Sequence, residues 1–163
     1  MKEYTATTYI FNENQEVLLL WHKKFNKWMP AGGHVEANEA PHEAALREVK
    51  EETGLDVELI LDENIWIQTS EASSIPRPYL CLIEKIPSFQ EKPPHEHVDF
   101  IYLAKSHSSN LKPSDEIKWF TPEEISHLSP DVDVFEDTIN ILQSIGINTK
   151  NRNHKKSFLS CSL

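Results

Sequence analysis

The sequence predicts an α/β fold, specifically an α/β/α sandwich built on a mixed β-sheet of about six strands with two or three helices. Short runs rich in β-branched and aromatic residues recur along the chain, and turn residues separate them. One central segment has helical spacing of its apolar residues. With 163 residues, of which 39% are hydrophobic, the chain can form one domain with a sizeable core. Helices on both faces of the sheet are the simplest way to bury it.

The first predicted elements are two strands joined as a hairpin. Alternating Thr and aromatic residues predict a strand over residues 4–11, and a run of leucines predicts a second over 16–21. The Asn-Glu-Asn sequence at 12–14 supplies the turn between them. Residues 25–33 follow as a predicted loop, closed by a proline and two glycines.

A helix is predicted over residues 39–53, with Pro41 in its first turn and Gly54 as its C-cap. At about 100° per residue, its apolar residues fall on one arc that faces the sheet. That apolar arc comprises Ala45, Leu46, Val49 and Thr53. Three carboxylates occupy a separate arc, and Ala44 falls among them. We expect its small side chain to leave room there for a metal ion.

The remaining predicted elements complete the sandwich. Apolar and alternating runs predict strands over 57–61, 65–67, 79–86, 97–104 and 117–120. Helical patterns predict helices over 122–127 and 132–145, the second ended by Gly146. We therefore assign residues 1–146 to one domain. Residues 147–163 contain four basic and no acidic residues, and we predict a basic, frayed tail.

Composition excludes several classes of protein. The formal net charge of −10 disfavours general binding to nucleic acid or to anionic membranes. No apolar run approaches the ~20 residues that span a bilayer, and the N-terminal sequence lacks the apolar core of a signal peptide. We expect a cytoplasmic protein. Cys81 lies in an apolar run and is predicted to be buried, and a disulfide with Cys161 is not expected.

The carboxylate arc consists of Glu48, Glu51 and Glu52, at positions i, i+3 and i+4 of the predicted helix. Like charges at this spacing repel by a few tenths of a kcal/mol per pair, and a divalent cation would convert the repulsion into coordination. A solvated acidic helix face is the simpler interpretation. The preceding Gly32-Gly33 favours a metal site, because bare backbone can approach a ligand closely and its carbonyls can bind metal.

Residues 33–55 resemble the Nudix (MutT-like) hydrolase family. The chain matches the Nudix box at every fixed position. In order, these positions are Gly33, then after five residues Glu39, after seven more Arg47-Glu48 and an aliphatic residue, and after one more Glu51-Glu52. One further residue then leads to Gly54 and a second aliphatic residue. The family often has Pro-Gly-Gly before the box, where this chain inserts Ala31. The resemblance implies the Nudix α/β/α sandwich and hydrolysis of a nucleoside diphosphate linked to another group.

By the same resemblance, Glu48, Glu51 and Glu52 would bind Mg²⁺, or Mn²⁺ as a substitute, together with the carbonyl of Gly32. Arg47 and Glu39 would form a supporting ion pair. The general base would be Glu52 or an acid on a later loop, for which Glu116 is the best candidate; Glu116 could equally be an ordinary loop charge.

Further residues are candidates for substrate binding. Gly33 could approach the substrate through its backbone, and Lys24, Lys27 or Arg77 could contact its phosphates, although most such residues are merely exposed. A base could stack on Trp28, Phe25 or Trp66, of which Trp66 is more simply a packing residue. Strand alternation puts His95, His97 and Asp99 on one face. They could meet substrate or metal, or could form a solvated start of the strand.

Four hypotheses follow from these residues. The first is a Nudix pyrophosphohydrolase acting on a small nucleotide as a monomer or homodimer. The second is a non-catalytic Nudix-fold sensor module, which typically lacks box carboxylates that are all present here. An isomerase of the isopentenyl diphosphate type would need an active-site cysteine, and an RNA-end hydrolase would need a basic stripe in the domain. No motif beyond the box identifies the substrate.

Overall fold

The computed structural model describes residues 2–88, 92–108, 111 and 114–147. The predicted tail therefore lies outside the described residues, except for its first residue. Within these ranges eight strands form one mixed sheet accompanied by three helices. The strands are β1 (Lys2–Phe11), β2 (Val17–His22), β3 (Lys27–Met29), β4 (Ala31–His34), β5 (Glu58–Leu59), β6 (Leu80–Ile86), β7 (His95–Lys105) and β8 (Ile117–Phe120). The helices are α1 (Pro41–Thr53), α2 (Pro122–His127) and α3 (Glu136–Ser144).

Strand β1 is the centre of the sheet. It runs parallel to β7 along its whole length and antiparallel to β4 and β2. Strands β3 and β8 extend the sheet from β2, and strands β5 and β6 extend it from β7. Because side chains alternate along a strand, β1 supplies both faces of the sheet with buried residues.

The two faces of the sheet are covered by different helices, as the predicted α/β/α sandwich requires. On one face, Ala6 and Ile10 of β1 pack in clusters that include Ala45 and Val49 of α1. On the other face, Tyr9 packs in the cluster that contains the buried residues of α2 and α3. The α/β fold class is therefore confirmed. No helix in the described part of the chain is long and apolar enough to cross a membrane.

Helix α1 has the capping features that its sequence predicted. Pro41 occupies the first turn, and the carboxylate of Glu43 accepts a hydrogen bond of 2.7 Å from the backbone N–H of Ala40. Gly54 ends the helix with φ of 78°, a left-handed conformation that glycine adopts without steric cost. The expectation for Ala44 is wrong. This residue is fully buried with Ala45 against the sheet, so it leaves no open space for a metal ion.

Several local predictions are also wrong. The predicted loop at 25–33 contains β3 and β4, because pairing with β2 and β1 outweighs the low strand propensity of its glycines. The predicted strand at 65–67 does not form, and Trp66 is 61% exposed rather than packed. Cys81 is exposed because it alternates with Leu80 and Leu82, which take the core-facing positions of β6.

Candidate active site

Two of the three carboxylates of α1, those of Glu48 and Glu52, lie against strand β4. Oε2 of Glu52 accepts a hydrogen bond of 3.1 Å from the backbone N–H of Gly32. Glu48 lies directly beside Gly33, where a Cβ atom would come within 2.3 Å of Oε1 of Glu48. Strand β4 is in turn held by its antiparallel pairing with β1. The fold thus brings the bare backbone of two glycines to the acidic face of α1.

Arg47 connects this acidic face to the segment that precedes the helix. Its guanidinium donates to both carboxylate oxygens of Glu39 at 2.7 and 3.2 Å, and to Oε1 of Glu48 at 2.8 Å. It also donates to the backbone carbonyl of His34 at 3.0 Å, and lies 3.6 Å from Oε2 of Glu51. Only a planar guanidinium offers enough donors in fixed directions for this set of acceptors. Its hydrogen bonds lower the pKa of Glu39 below its ordinary value.

The electrostatics of the site leave negative charge uncompensated. Burial, reinforced by the charges of Glu48 and Glu51, raises the pKa of Glu52 to about 7, although the Gly32 hydrogen bond acts in the opposite direction. One guanidinium is shared among Glu39, Glu48 and Glu51. Clustered carboxylate oxygens next to accessible backbone are the donor set that Mg²⁺ prefers. The residues therefore fit a divalent cation with oxygen ligands.

Glu116, the alternative base, lies at the start of β8. Its carboxylate forms an ion pair of 2.6 Å with Lys23, and its backbone carbonyl accepts a hydrogen bond of 2.7 Å from the N–H of Trp21. These contacts attach Glu116 to β2 and to the turn that follows β2. They do not link it directly to the carboxylates of α1.

The predicted phosphate contacts have local partners. Lys27 donates to the backbone carbonyls of Asp131 and Val132 at 2.5 and 3.2 Å. The ammonium of Lys24 lies 5.1 Å from the centroid of the neighbouring Phe25 ring. Arg77 pairs with Glu63 at 2.5 Å. In these positions the three cations stabilise loops.

The two aromatic candidates for base stacking make edge contacts with other rings. Trp28 meets Trp21 at 5.4 Å and Phe120 at 5.0 Å between ring centroids, and packs against the core. Phe25 meets Phe135 edge-on at 5.6 Å. Trp28 therefore contributes to the packing of β3 on β2.

His97 lies on the opposite face of the sheet from Glu48. Within β4, Gly33 faces Glu48, so alternation directs the His34 side chain to the other face, where its ring contacts the ring of His97. Burial, followed by the influence of His34 and His95, lowers the pKa of His97. Asp99 continues the same face but is buried and accepts a hydrogen bond of 2.9 Å from Thr5. The interpretation of a solvated strand start is therefore wrong for Asp99.

Two polar residues near His97 were absent from the candidates drawn from the sequence. The Nε2 atom of His34 lies 2.7 Å from a carboxylate oxygen of Glu3, close to His95 and His97. His34 was missed because its segment was predicted to be a loop, where strand alternation cannot be applied. Glu3 was missed because its strand was predicted to begin one residue later. A strand prediction across 31–34 would have indicated His34, and a first strand that began two residues earlier would have included Glu3.

The two glycines of β4 give a matched pair of testable substitutions. Gly33→Ala places a methyl group on the Glu48 carboxylate, which can rotate away, so we expect divalent-cation affinity to fall by about 10-fold or more with little loss of stability. Gly32→Ala places it 2.6 Å from the backbone oxygen of Ala6, so we expect mainly destabilisation, on the order of 1–3 kcal/mol. Cation titration and thermal unfolding measure the two effects. Equal effects of both substitutions on stability would contradict the described geometry.

The chain is similar in sequence to known proteins. A family model described as NUDIX domain matches residues 1–139. A putative 8-oxo-dGTP diphosphatase of Bacillus subtilis (strain 168) is 41% identical over 54 residues, which are 33% of this chain and 36% of that protein. The alignment thus spans only about a third of that relative's length.

Solved structures share the fold. A NUDIX family hydrolase from Clostridium perfringens has a TM-score of 0.72 and 31% identity, covering 87% of this chain and 94% of that chain. An Ap4A hydrolase from C. elegans has a TM-score of 0.61 and 21% identity, covering 89% of this chain and 96% of that chain. At that lower identity the second likeness supports the fold alone.

Proposed function

Because this chain belongs to the Nudix family of hydrolases, we propose that it is a metal-dependent pyrophosphohydrolase. Its substrate would be a nucleoside diphosphate derivative or a nucleoside triphosphate, cleaved at a phosphoanhydride bond. The observation that supports this most directly is the placement of Glu48 and Glu52 beside the bare backbone of Gly32 and Gly33, on the same helix as Glu51.

The residues that would hold Mg²⁺, or Mn²⁺ in its place, are the three carboxylates and the carbonyl of Gly32. Such an ion, when bound, offsets the charge of the diphosphate and lowers the pKa of a water molecule. The chain supplies the positions of its own groups. Glu48 is fixed from one side by Arg47, and Glu52 by the N–H of Gly32.

Hydrolysis forms one bond from a water oxygen to phosphorus and breaks the bond to the bridging oxygen. The proton of the water must pass to a base. Glu52 is the first candidate because its carboxylate lies at the proposed cation site, next to the N–H of Gly32. Glu116 is the second candidate, and would have to leave its ion pair with Lys23 to serve.

Among the candidate substrate contacts, Gly33 adjoins the proposed cation site and would approach the phosphates through its backbone. His97 lies on the opposite face of the sheet, so we do not propose it as a contact for this substrate. Lys24, Lys27 and Arg77 would contribute by exchanging their local partners for phosphate oxygens. Trp28 would offer an aromatic edge rather than an open ring face.

A sensor module without activity is the alternative function. Loss of a box carboxylate would favour it, yet Glu48, Glu51 and Glu52 are all present and lie on one face of α1. We therefore favour the hydrolase.

Turnover of a nucleotide panel tests the proposal. The panel contains 8-oxo-dGTP, dGTP, diadenosine tetraphosphate and ADP-ribose, each incubated with Mg²⁺, Mn²⁺ or EDTA, and products are separated by anion-exchange chromatography. We expect at least one substrate to yield a nucleotide product and phosphate or pyrophosphate only when a divalent cation is present. Binding of panel members without turnover under any condition would favour the sensor module.

A further inference from the structure

Three histidines and one glutamate converge on the sheet face opposite the carboxylates of α1. This histidine cluster consists of Glu3 from β1, His34 from β4, and His95 and His97 from β7. Oε2 of Glu3 lies 2.7 Å from Nε2 of His34 and 3.7 Å from Nε2 of both His95 and His97. The Nε2 atoms of His95 and His97 are 3.2 Å apart. Ligand-type atoms of Glu3, His34 and His97 all lie within 4.8 Å of one another, and His95 adjoins this group through its neighbours Glu3 and His97.

These separations are close to the edges of a tetrahedron around a metal ion. Zn²⁺ bonds of about 2.0–2.1 Å to nitrogen and oxygen place neighbouring ligand atoms about 3.3–3.4 Å apart. The contacts at 3.2 and 3.7 Å are within a few tenths of an ångström of that value. The pair formed by Glu3 and His34 must open by about 0.6 Å relative to the tetrahedral edge. His95 must also approach His34, because its ligand atom lies outside the group formed by Glu3, His34 and His97. The His34 side chain is 54% exposed and can move by that amount.

The outer nitrogen of His95 has the kind of partner that a metal-binding histidine usually has. Nδ1 of His95 lies 3.0 Å from the backbone carbonyl of Pro93, which can accept its proton. That hydrogen bond places the lone pair of His95 on Nε2, the atom directed into the cluster. Nδ1 of His97 lies 3.8 Å from the carboxylate of Glu84, which is too long for a direct hydrogen bond.

From this geometry we propose that Glu3, His34, His95 and His97 form a second metal site, which binds Zn²⁺ or another divalent transition metal. Imidazole nitrogens and one carboxylate are ligands that such metals prefer, whereas Mg²⁺ prefers oxygen alone. The site is separate from the carboxylate site, because alternation along β4 directs His34 and Gly33 to opposite faces. It therefore goes beyond the proposed hydrolysis and does not depend on it.

Hydrogen bonding accounts for only part of the cluster. It joins Glu3 to His34 and His95 to His97, but the distances of 3.7 Å from Glu3 to His95 and His97 are too long for direct bonds. The ammonium of Lys92 lies 3.9 Å from the same oxygen of Glu3, but its side chain is 67% exposed and can move to solvent. A bound cation would satisfy all three Nε2 atoms at once.

The consequence for the fold is a cross-link among three strands. Glu3, His34 and the two β7 histidines lie near one end of β1, β4 and β7. A metal ion there would hold β4, whose Gly32 and Gly33 border the carboxylates of α1. Because the ion binds only the folded chain, it should stabilise the protein. At Zn²⁺ concentrations 100-fold above the dissociation constant, the unfolding midpoint should rise by roughly 5–10 °C.

The test measures binding of Zn²⁺ and Co²⁺ to the full chain without a histidine tag, after removal of metals with a chelator. Excess Mg²⁺ is present throughout so that the carboxylate site is occupied. We expect one Zn²⁺ per chain by calorimetry, the visible absorption of tetrahedral Co²⁺, and the stated rise in unfolding midpoint. The double variant His95→Ala/His97→Ala and the surface variant Glu3→Gln/His34→Gln should each weaken binding by at least about 100-fold.

Two controls separate this site from others. Replacing His107 and His127 by Ala removes histidines outside the cluster and should leave Zn²⁺ binding unchanged. The variant Glu51→Gln/Glu52→Gln should also retain it, since those carboxylates belong to the other face. Loss of Zn²⁺ binding in the glutamate variant with retention in folded Glu3→Gln/His34→Gln would overturn the proposal. Failure of the parent chain to bind Zn²⁺ or Co²⁺ more tightly than the cluster variants would also overturn it.

Discussion

Glu52→Gln should reduce cation-dependent hydrolysis by at least about 100-fold in kcat/KM while making the cation-free protein more stable. The amide keeps an oxygen that can accept the hydrogen bond from Gly32, so the local structure should persist. It removes a charge from the site that would bind the cation, and it removes the candidate base. The measurements are steady-state kinetics with the best substrate of the panel and thermal unfolding in EDTA.

The gain in stability has a defined pH window. Burial raises the pKa of Glu52 from 4.5 to about 7 in the folded chain. Between these two values the unfolded chain releases the proton while the folded chain retains it, so this group lowers stability progressively as pH rises, and its full penalty is present above pH about 7. After allowance for solvent screening we expect Glu52→Gln to add about 1–2 kcal/mol at pH 8, or roughly 2–8 °C. At pH 4 the two proteins should unfold at similar temperatures.

Glu51→Gln provides the matched control for this prediction. Its side chain is 61% exposed, so its charge is already solvated in the folded chain. Removal of that charge should therefore change the unfolding midpoint much less. Activity should still fall, because the residue is a proposed cation ligand. Equal stabilisation by both substitutions would mean that repulsion within the triplet, and not burial of Glu52, sets the stability of the cation-free chain.

Much of this architecture could be predicted from the sequence because its signals are local. The helix at 41–53 is delimited by Pro41 and Gly54, and its apolar arc packs on the sheet as expected. The strand at 117–120 and the helix at 122–127 have the predicted bounds. Spacing along one helix also sufficed to place the three carboxylates on one face.

The features that were mispredicted depend on contacts between distant segments. Ala44 falls inside the carboxylate arc, and only its contacts with residues distant in sequence, Ala6 and Tyr102, show that it is buried. Strand β4 exists because β1 pairs with it, although a glycine pair normally indicates a turn. The histidine cluster could not be predicted without β4, because its four residues come from three strands and share no regular spacing in the sequence. Local pattern and strand register are therefore different kinds of information.

Arg47→Ala should destabilise the chain by about 1–3 kcal/mol and raise the cation concentration needed for half-maximal activity by about 10–100-fold. Arg47 is a positioning residue, because it contacts the proposed ligands Glu48 and Glu51 rather than substrate. Its removal leaves the partly buried carboxylates of Glu39 and Glu48 without their cation. Glu48 would then be free to turn away from Gly33. The cation would have to order its own ligands as it binds, so the affinity for the cation would fall.

The variant Arg47→Lys separates charge from geometry. An ammonium retains the positive charge but cannot donate to Glu39, Glu48 and the His34 carbonyl together, since it lacks the fixed fork of the guanidinium. We therefore expect partial recovery of stability and little recovery of cation affinity. Full recovery of both would show that a positive charge near Glu48 is sufficient.

Lys50→Ala is the control on the same helix. Lys50 pairs with Asp56 at the surface, where both side chains are more than half exposed, so we expect a change within about 0.5 kcal/mol and an unaltered cation titration. The decisive measurement is the Mg²⁺ dependence of kcat/KM across the three variants, compared at equal fractions of folded protein. If Arg47→Ala lost stability but kept the Mg²⁺ dependence of the parent, Arg47 would act on the fold alone. A shift confined to the Arg47 variants would instead mean that this side chain holds the carboxylates in the arrangement that a cation requires.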